Sequence, residues 1–335
     1  MLEYICEGLT SIKARLRSTE GSTRLIINIQ DDILKIQSLG LLDKMLIDKT
    51  TKRNIMWATD AYSSLGKAYE RNEEIFSFLI TGRNSDVIKT RARKAMEQQA
   101  ERTKKHAEVF TPLWICNKMN NHVDEVWFGS ADVFNKNGIP TERIPFENAK
   151  DWQKYVDSRK LEITCGEAPY LVSRYDVATG EMIPIPKRIG ILDRKLRVVN
   201  ENTDNEKEWL KWALRAFQAT YGYEFQGDNV LISRVNMLMT YEEYLRERFS
   251  RKPTGKEYGK ILNVIVWNIW QMDGLTGTIP YSTAEEDYTQ MTIFDVLGNN
   301  DETDHTKKAN RQPKCRIYDW RGKCSSIEFM KMKNE

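Results

Sequence analysis

The sequence predicts an α/β protein, a doubly wound parallel sheet preceded by a helical N-terminal domain. Three observations carry this reading. Apolar residues early in the chain recur at helical spacing, at Ile26, Ile29, Ile33, Ile36 and Leu39. From residue 161 onward, short apolar strand-like runs alternate with longer helical ones. Residues 160–175, K-L-E-I-T-C-G-E-A-P-Y-L-V-S-R-Y, form an apolar run that closes in Glu162 and turns through Cys165 and Gly166. A helix is expected to restart behind that turn. This is the layout of a strand–loop–helix cradle, in which glycine lets the backbone approach a ligand and a helix N-terminus offers free N–H groups.

Residues 1–105 read as the helical domain. A helix covers the isoleucine series, Gly40 breaks it, and residues 41–48 continue. The string N-I-M-W-A-T-D-A-Y (54–62) is extended or a turn. Residues 85–105 read as a third helix, with Lys89, Arg91, Arg93, Lys94, Arg102, Lys104 and Lys105 set against Asp86, Glu97 and Glu101. Two readings of that helix stand side by side. It is either a solvated face or a strip that meets nucleic-acid phosphates, which need clustered rather than net positive charge.

Residues 106–298 read as the α/β domain. Pro112 opens a helix, and residues 129–158 are a polar connection. Residues 161–164 are a strand, 209–220 a helix, 221–224 a turn and 228–240 a helix. After Pro253, residues 258–273 end in an apolar strand, I-L-N-V-I-V-W-N-I-W. Residues 299–335 are a tail. Its part 299–312 is polar enough to read as disordered, whereas Y-D-W-R (318–321) reads as a segment that returns to the core or meets a partner.

Apolar residues make up 40% of the chain and charged residues 30%, which places it among soluble globular proteins. No apolar run reaches the roughly 18 residues of a membrane span, and M-L-E-Y-I-C-E-G-L lacks the plan of a secretion signal. Five cysteines without a C-x-x-C pair fit a reducing cytoplasm, and with three histidines in all they argue against a metal site. His106 and His122 stand alone and read as structural or capping residues. Cys165 has no histidine near it in sequence, so a loop residue is the expected role rather than a nucleophile. Trp209, Trp212, Phe217, Trp267 and Trp270 sit at helix or strand spacing and read as core.

In a doubly wound sheet, ligands sit at the carboxyl ends of the strands. Glu162, Glu224 and Asp273 fall at three such ends. Taken singly, each reads as a helix cap or turn acid. Taken jointly with Cys165 and Gly166, they argue against a phosphate ligand and for a cationic, hydroxyl-rich one. S-adenosylmethionine, with its sulfonium, ammonium and ribose, has those features.

The order F-T-P (110–112), L-E-I-T-C-G-E-A-P-Y (161–170), Y-G-Y-E (221–224) and W-N-I-W-Q-M-D-G-L (267–275) resembles the cofactor-binding half of amino-DNA methyltransferases. It is most similar to the gamma arrangement of adenine-N6 enzymes, and more narrowly to modification subunits of restriction–modification systems. The resemblance spans most of residues 40–330 and implies a Rossmann-like methyltransferase sheet. It implies that Phe110, Thr111 and Pro112 line the methionine end of S-adenosylmethionine. Glu162, Cys165, Gly166 and Ala168 would match the first motif, with Ala168 replacing its second glycine and Pro169 following. Glu224 would hold the ribose, and Asp273 the adenine amine between Ile269 and Met272.

Adenine-N6 enzymes also carry an Asp/Asn-Pro-Pro-aromatic loop that accepts the flipped base. Among the nine prolines of this chain no two are adjacent. The nearest string, 294–300, has no proline, and no target-recognition domain is evident. No catalytic residue is therefore assigned here. The resemblance implies a split enzyme acting on double-stranded DNA. This chain would place the methyl donor, and a second subunit would carry the Asn-Pro-Pro-Tyr loop and the target-recognition domain. The other reading is a catalytically inactive methyltransferase-fold scaffold or nucleic-acid-binding subunit.

Overall fold

The computed structural model describes residues 25–94, 111–281, 314–322 and 324–334. A three-stranded parallel sheet lies at its centre, built from β3 (Lys160–Glu162), β4 (Thr220–Glu224) and β5 (Ile269–Gln271) in the order β3-β4-β5. Lys160 pairs with Thr220, and Gly222 pairs with Ile269. The mixed α/β class and the parallel sheet therefore stand. The string Y-G-Y-E, expected as a turn, is instead the middle strand. Gly222 is a glycine of close approach rather than of turning, since a Cβ there would lie 3.1–3.2 Å from Leu171, Cys165 and Ile269 side chains.

Strand alternation sorts the sheet into two faces. Gly222 and Ile269 point to one side, toward α7 (Gly227–Phe249), a helix buried nearly all round. Tyr221, Tyr223 and Trp270 point to the other and pack with Cys315, Ile317 and Phe329. This second cover comes from the C-terminal hairpin of β6 (Arg316–Tyr318) and β7 (Ser326–Glu328), where a doubly wound sheet would have helices. The returning segment around Trp320 is thus in the core: its indole donates to Asn268 Oδ1 at 2.8 Å. Residues 299–313 of the expected tail lie outside the described residues.

The long crossovers are helical. Between β3 and β4 run α5 (Ile191–Asn202) and α6 (Glu206–Gln218); between β4 and β5 run α7 and α8 (Gly255–Asn268). The apolar run before Asn268 was expected as a strand and is a helix. Thr254 and Glu257 form a reciprocal capping box at its start. An all-apolar run has no period to distinguish the two states, and the cap decides. The polar connection 129–158 holds a hairpin, β1 (Asn135–Lys136) with β2 (Ile139–Pro140), turned through Asn137 and Gly138 at positive φ. It also holds helix α4 (Asp151–Asp157). Helix α3 (Leu113–Phe128) begins directly after Pro112, as expected.

The N-terminal region is less helical than its spacing predicts. Helices α1 (Ile29–Ser38) and α2 (Leu42–Leu46) form, and residues 47–94 then run in bridges and 3-10 turns. The described part of the expected basic helix, residues 85–94, contains only the turn Arg91–Arg93. Repulsion among its cations opposes a helix, and Ile88 is pinned in the core while its carbonyl accepts Gln30 Nε2 at 2.8 Å. One apolar cluster joins Ile29, Leu46 and Trp57 to Leu192, Val235 and Ile265. Arg234 knits the same parts together, donating to the carbonyls of Met45, Ile47, Val266 and Ile269. These are C-terminal carbonyls of α2 and α8, which hold positive charge without a carboxylate contact. Burial lowers the Arg234 pKa to about 10.

Candidate functional site

The carboxyl ends of β3 and β4 carry Glu162 and Glu224. Glu162 is level with Gly222, and Glu224 stands two residues further along. The alternation puts both acids on one face. The loop leaving β3 lies over that face, with the Cys165 N–H on Tyr223 O at 2.9 Å. Thr164, Gly166 and Ala168 all adopt left-handed backbone, at φ of 49°, 55° and 65°. Only glycine takes that conformation without strain. Ala168 therefore adopts a backbone conformation that favours glycine.

The helix expected behind Gly166 is absent. Residues 167–172 turn, and the next helix is α5, whose first N–H groups are taken by the carbonyls of Tyr170 and Leu171. What lies behind the loop is α7: Ser233 Oγ donates to Gly166 O at 3.1 Å, and Asn236 Nδ2 to Glu167 O at 3.0 Å. Glycine spacing signals a loop but not which helix will back it.

Glu224 is buried, and its two oxygens accept the N–H groups of Gly166 (2.9 Å) and Gln226 (3.1 Å). Burial raises its pKa, and the backbone donors oppose the rise. As placed, it ties the loop after β3 to the loop after β4. Glu162 is held differently. Its Oε2 is enclosed and has no hydrogen-bond partner among the described residues. Burial first, and then the Glu224 charge, push its pKa well above the ordinary glutamate value.

The F-T-P segment is brought to the same place in part. Phe110 lies outside the described residues. Thr111 O is 3.8 Å from Cys116 Sγ, and Pro112 caps α3. The Cys116 thiol is raised to about 12 by burial and then by the Glu162 charge. Cys165 is fully enclosed, and burial holds its thiol protonated, so it has no thiolate for nucleophilic attack.

Asp273 is bound into its own turn. Its Oδ1 accepts the N–H groups of Leu275 (2.8 Å) and Thr276 (3.4 Å), the geometry of a turn acid. Ile269 and Met272 belong to different core clusters on opposite faces of the sheet, so they do not flank one ring.

The basic strip is divided. Lys89 is half-buried and pairs with Asp86 at 2.9 Å, and Arg93 donates to Asn28 Oδ1 at 3.0 Å. The Arg91 backbone N–H binds Glu167. Lys94 is inside the protein, its ammonium 3.3 Å from Asp228 and both side chains buried. Placed there, it does not reach a phosphate. Arg102, Lys104, Lys105 and His106 lie outside the described residues, and His122 is exposed beside Glu125.

Sequence reasoning missed the Asp228 cluster at the head of α7, where Tyr62 OH also donates to Asp228 Oδ2 at 2.6 Å. Its members are 134 and 166 positions apart, and no local pattern announces such a pair. Among the described residues, no helix is long and apolar enough to cross a membrane. Comparison with known proteins finds no matching family model, no matching curated protein and no matching solved structure.

Proposed function

We propose that the edge formed by Glu162, residues 164–168 and Glu224 binds S-adenosylmethionine, and that the chain is the methyl-donor subunit of a DNA adenine-N6 methyltransferase in a restriction–modification system. The observation that carries this reading is the enclosed Glu162 carboxyl with an open Oε2, set beside Glu224 under a loop of three left-handed residues. An enclosed carboxyl oxygen whose pKa is raised by burial and by a neighbouring carboxylate favours a cation beside it, and strained backbone clusters at ligand clamps. Glu162 would face the cationic part of the cofactor. Gly166 and Ala168 would let the backbone approach it, and Glu224 would fix the loop. Bound there, S-adenosylmethionine would supply an activated methyl group. The base amine, presented by a partner chain with an Asn-Pro-Pro-Tyr loop and a target-recognition domain, would accept it and lose a proton. Lys89 and Arg93 would touch DNA phosphates from the same side of the assembly.

Calorimetric titration of S-adenosylmethionine into the full chain tests the cofactor reading. Binding that is lost on Glu162→Gln is expected. No binding by the wild-type chain overturns it. The DNA assignment is wrong if neutralising Lys89 and Arg93 leaves DNA binding by the assembled complex, and its salt dependence, unchanged.

One observation favours a second reading, a methyltransferase-fold scaffold without cofactor. Both Glu224 oxygens already accept the chain's own N–H groups. On that reading, S-adenosylmethionine does not bind, and assembly with a partner subunit survives Glu162→Gln.

A further inference from the structure

A separate cleft of about 300 Å³ opens beside the end of β5, within the size range of small-ligand sites. None of Glu162, Gly166 or Glu224 lines it. Met56, Ile279 and Pro280 supply apolar wall, and Tyr281 lines it too. Tyr281 is held at φ 56°, a conformation that costs a tyrosine about 1 kcal/mol or more and persists only where the surroundings impose it.

Several polar groups of the cleft are bonded within the chain. Arg53 places two donors on Glu74 Oε1, at 2.8 and 2.6 Å, while Glu74 Oε2 accepts the Asn54 N–H. Gln271 bonds the backbone of Met56 and Phe225. Asp48 is 3% exposed. Its Oδ2 accepts both the N–H and the hydroxyl of Thr51 at 2.7 Å, but its Oδ1 is buried with no partner among the described residues. The nearby Arg234 does not supply one, since its donors go to backbone carbonyls.

We infer that this cleft binds a small organic cation, a primary amine or guanidinium on a compact apolar body, with its charged head on Asp48 Oδ1 and its body between Met56, Ile279 and Tyr281. A buried carboxylate oxygen without a donor is costly, and a cationic N–H donor is its strongest complement. The Arg53–Glu74 pair contributes no net charge.

Benzylamine, benzyl alcohol and benzoate, titrated calorimetrically into the full chain, share one body and differ in the head. Benzylamine should bind, benzyl alcohol about thirtyfold more weakly or not at all, and benzoate not at all. Asp48→Asn keeps an oxygen for the Thr51 N–H and should abolish benzylamine binding. If Asp48→Asn does not fold, the comparison of heads on the wild-type chain decides alone. Failure of benzylamine to bind the wild-type chain, or equal binding of benzyl alcohol, overturns the inference. Neither result bears on S-adenosylmethionine, whose proposed site shares no residue with this cleft.

Discussion

Glu224 Oε2 accepts the Gly166 N–H at 2.9 Å, so the acid that closes β4 holds the loop that leaves β3. Its other oxygen accepts the Gln226 N–H at the head of α7. Glu224→Ala strips two backbone donors of their acceptor and should cost about 2–4 kcal/mol. Glu224→Gln keeps one acceptor oxygen and should cost about 1–2 kcal/mol. Urea unfolding of the three proteins measures both. Equal stability of the alanine variant and the wild type would show that the loop does not depend on this carboxylate.

Glu162 makes stability depend on pH. Its folded-state pKa is raised well above the ordinary 4.5 by burial and by Glu224, so the fold prefers the protonated acid. That contribution is complete below the ordinary value and is lost as pH rises through the raised one. Between the two values, the wild type should lose stability relative to Glu162→Gln by about 1.4 kcal/mol per pH unit. Urea midpoints taken from acid to neutral pH test this. A difference that is flat with pH would place the Glu162 carboxyl in water.

The readable parts of this fold are those in which one residue type has one physical use. Pro112 starts a helix because it lacks an N–H, and helix α3 follows it. Glu162 and Glu224 end parallel strands, and the sequence order places them there. Misreadings arise where one residue has two uses. Gly222 signals a turn, yet it sits in mid-strand so that Leu171 and Cys165 can lie on it. The run before Asn268 is apolar enough for either state, and its identity lies in Thr254 and Glu257. Lys94 looks like part of a phosphate-binding strip, but Asp228, 134 positions away, draws it inside. The missing donor to Asp48 Oδ1 is not legible at all, because it depends on where Arg234 sends its N–H groups.

Gly227 and Gly259 both lie in helices and should respond oppositely to alanine. A Cβ on Gly227 would fall on the Met56 carbonyl oxygen, where the segment 55–57 crosses the sheet edge and Trp57 O accepts the Gly227 N–H at 2.9 Å. That backbone is fixed, so Gly227→Ala should cost about 3 kcal/mol. Gly259 in α8 is exposed, and a Cβ there meets nothing within 4 Å. Gly259→Ala should stabilise by about 0.5–1 kcal/mol through helix propensity. Thermal melts of the two variants separate them, and a neutral Gly227→Ala would mean that the 55–57 crossing is not packed on α7.

The C-terminal hairpin covers the second face of the sheet in place of a helical layer, and Ile317 is its test. Ile317 in β6 is 1% exposed and belongs to the cluster of Tyr221, Tyr223, Trp270 and Met272. If that cluster is a core, Ile317→Ala leaves a cavity and should cost about 2–5 kcal/mol in global unfolding. Ile327 in the paired strand is only half-buried. Ile327→Ala should therefore cost less, about 1 kcal/mol, since less of its surface leaves water. Denaturant unfolding followed by tryptophan fluorescence measures both costs, with Trp270, 5.1 Å from Phe329 of the same cover, among the emitters. A cost below about 1 kcal/mol for Ile317→Ala would mean that the hairpin rests on the sheet without helping to hold it.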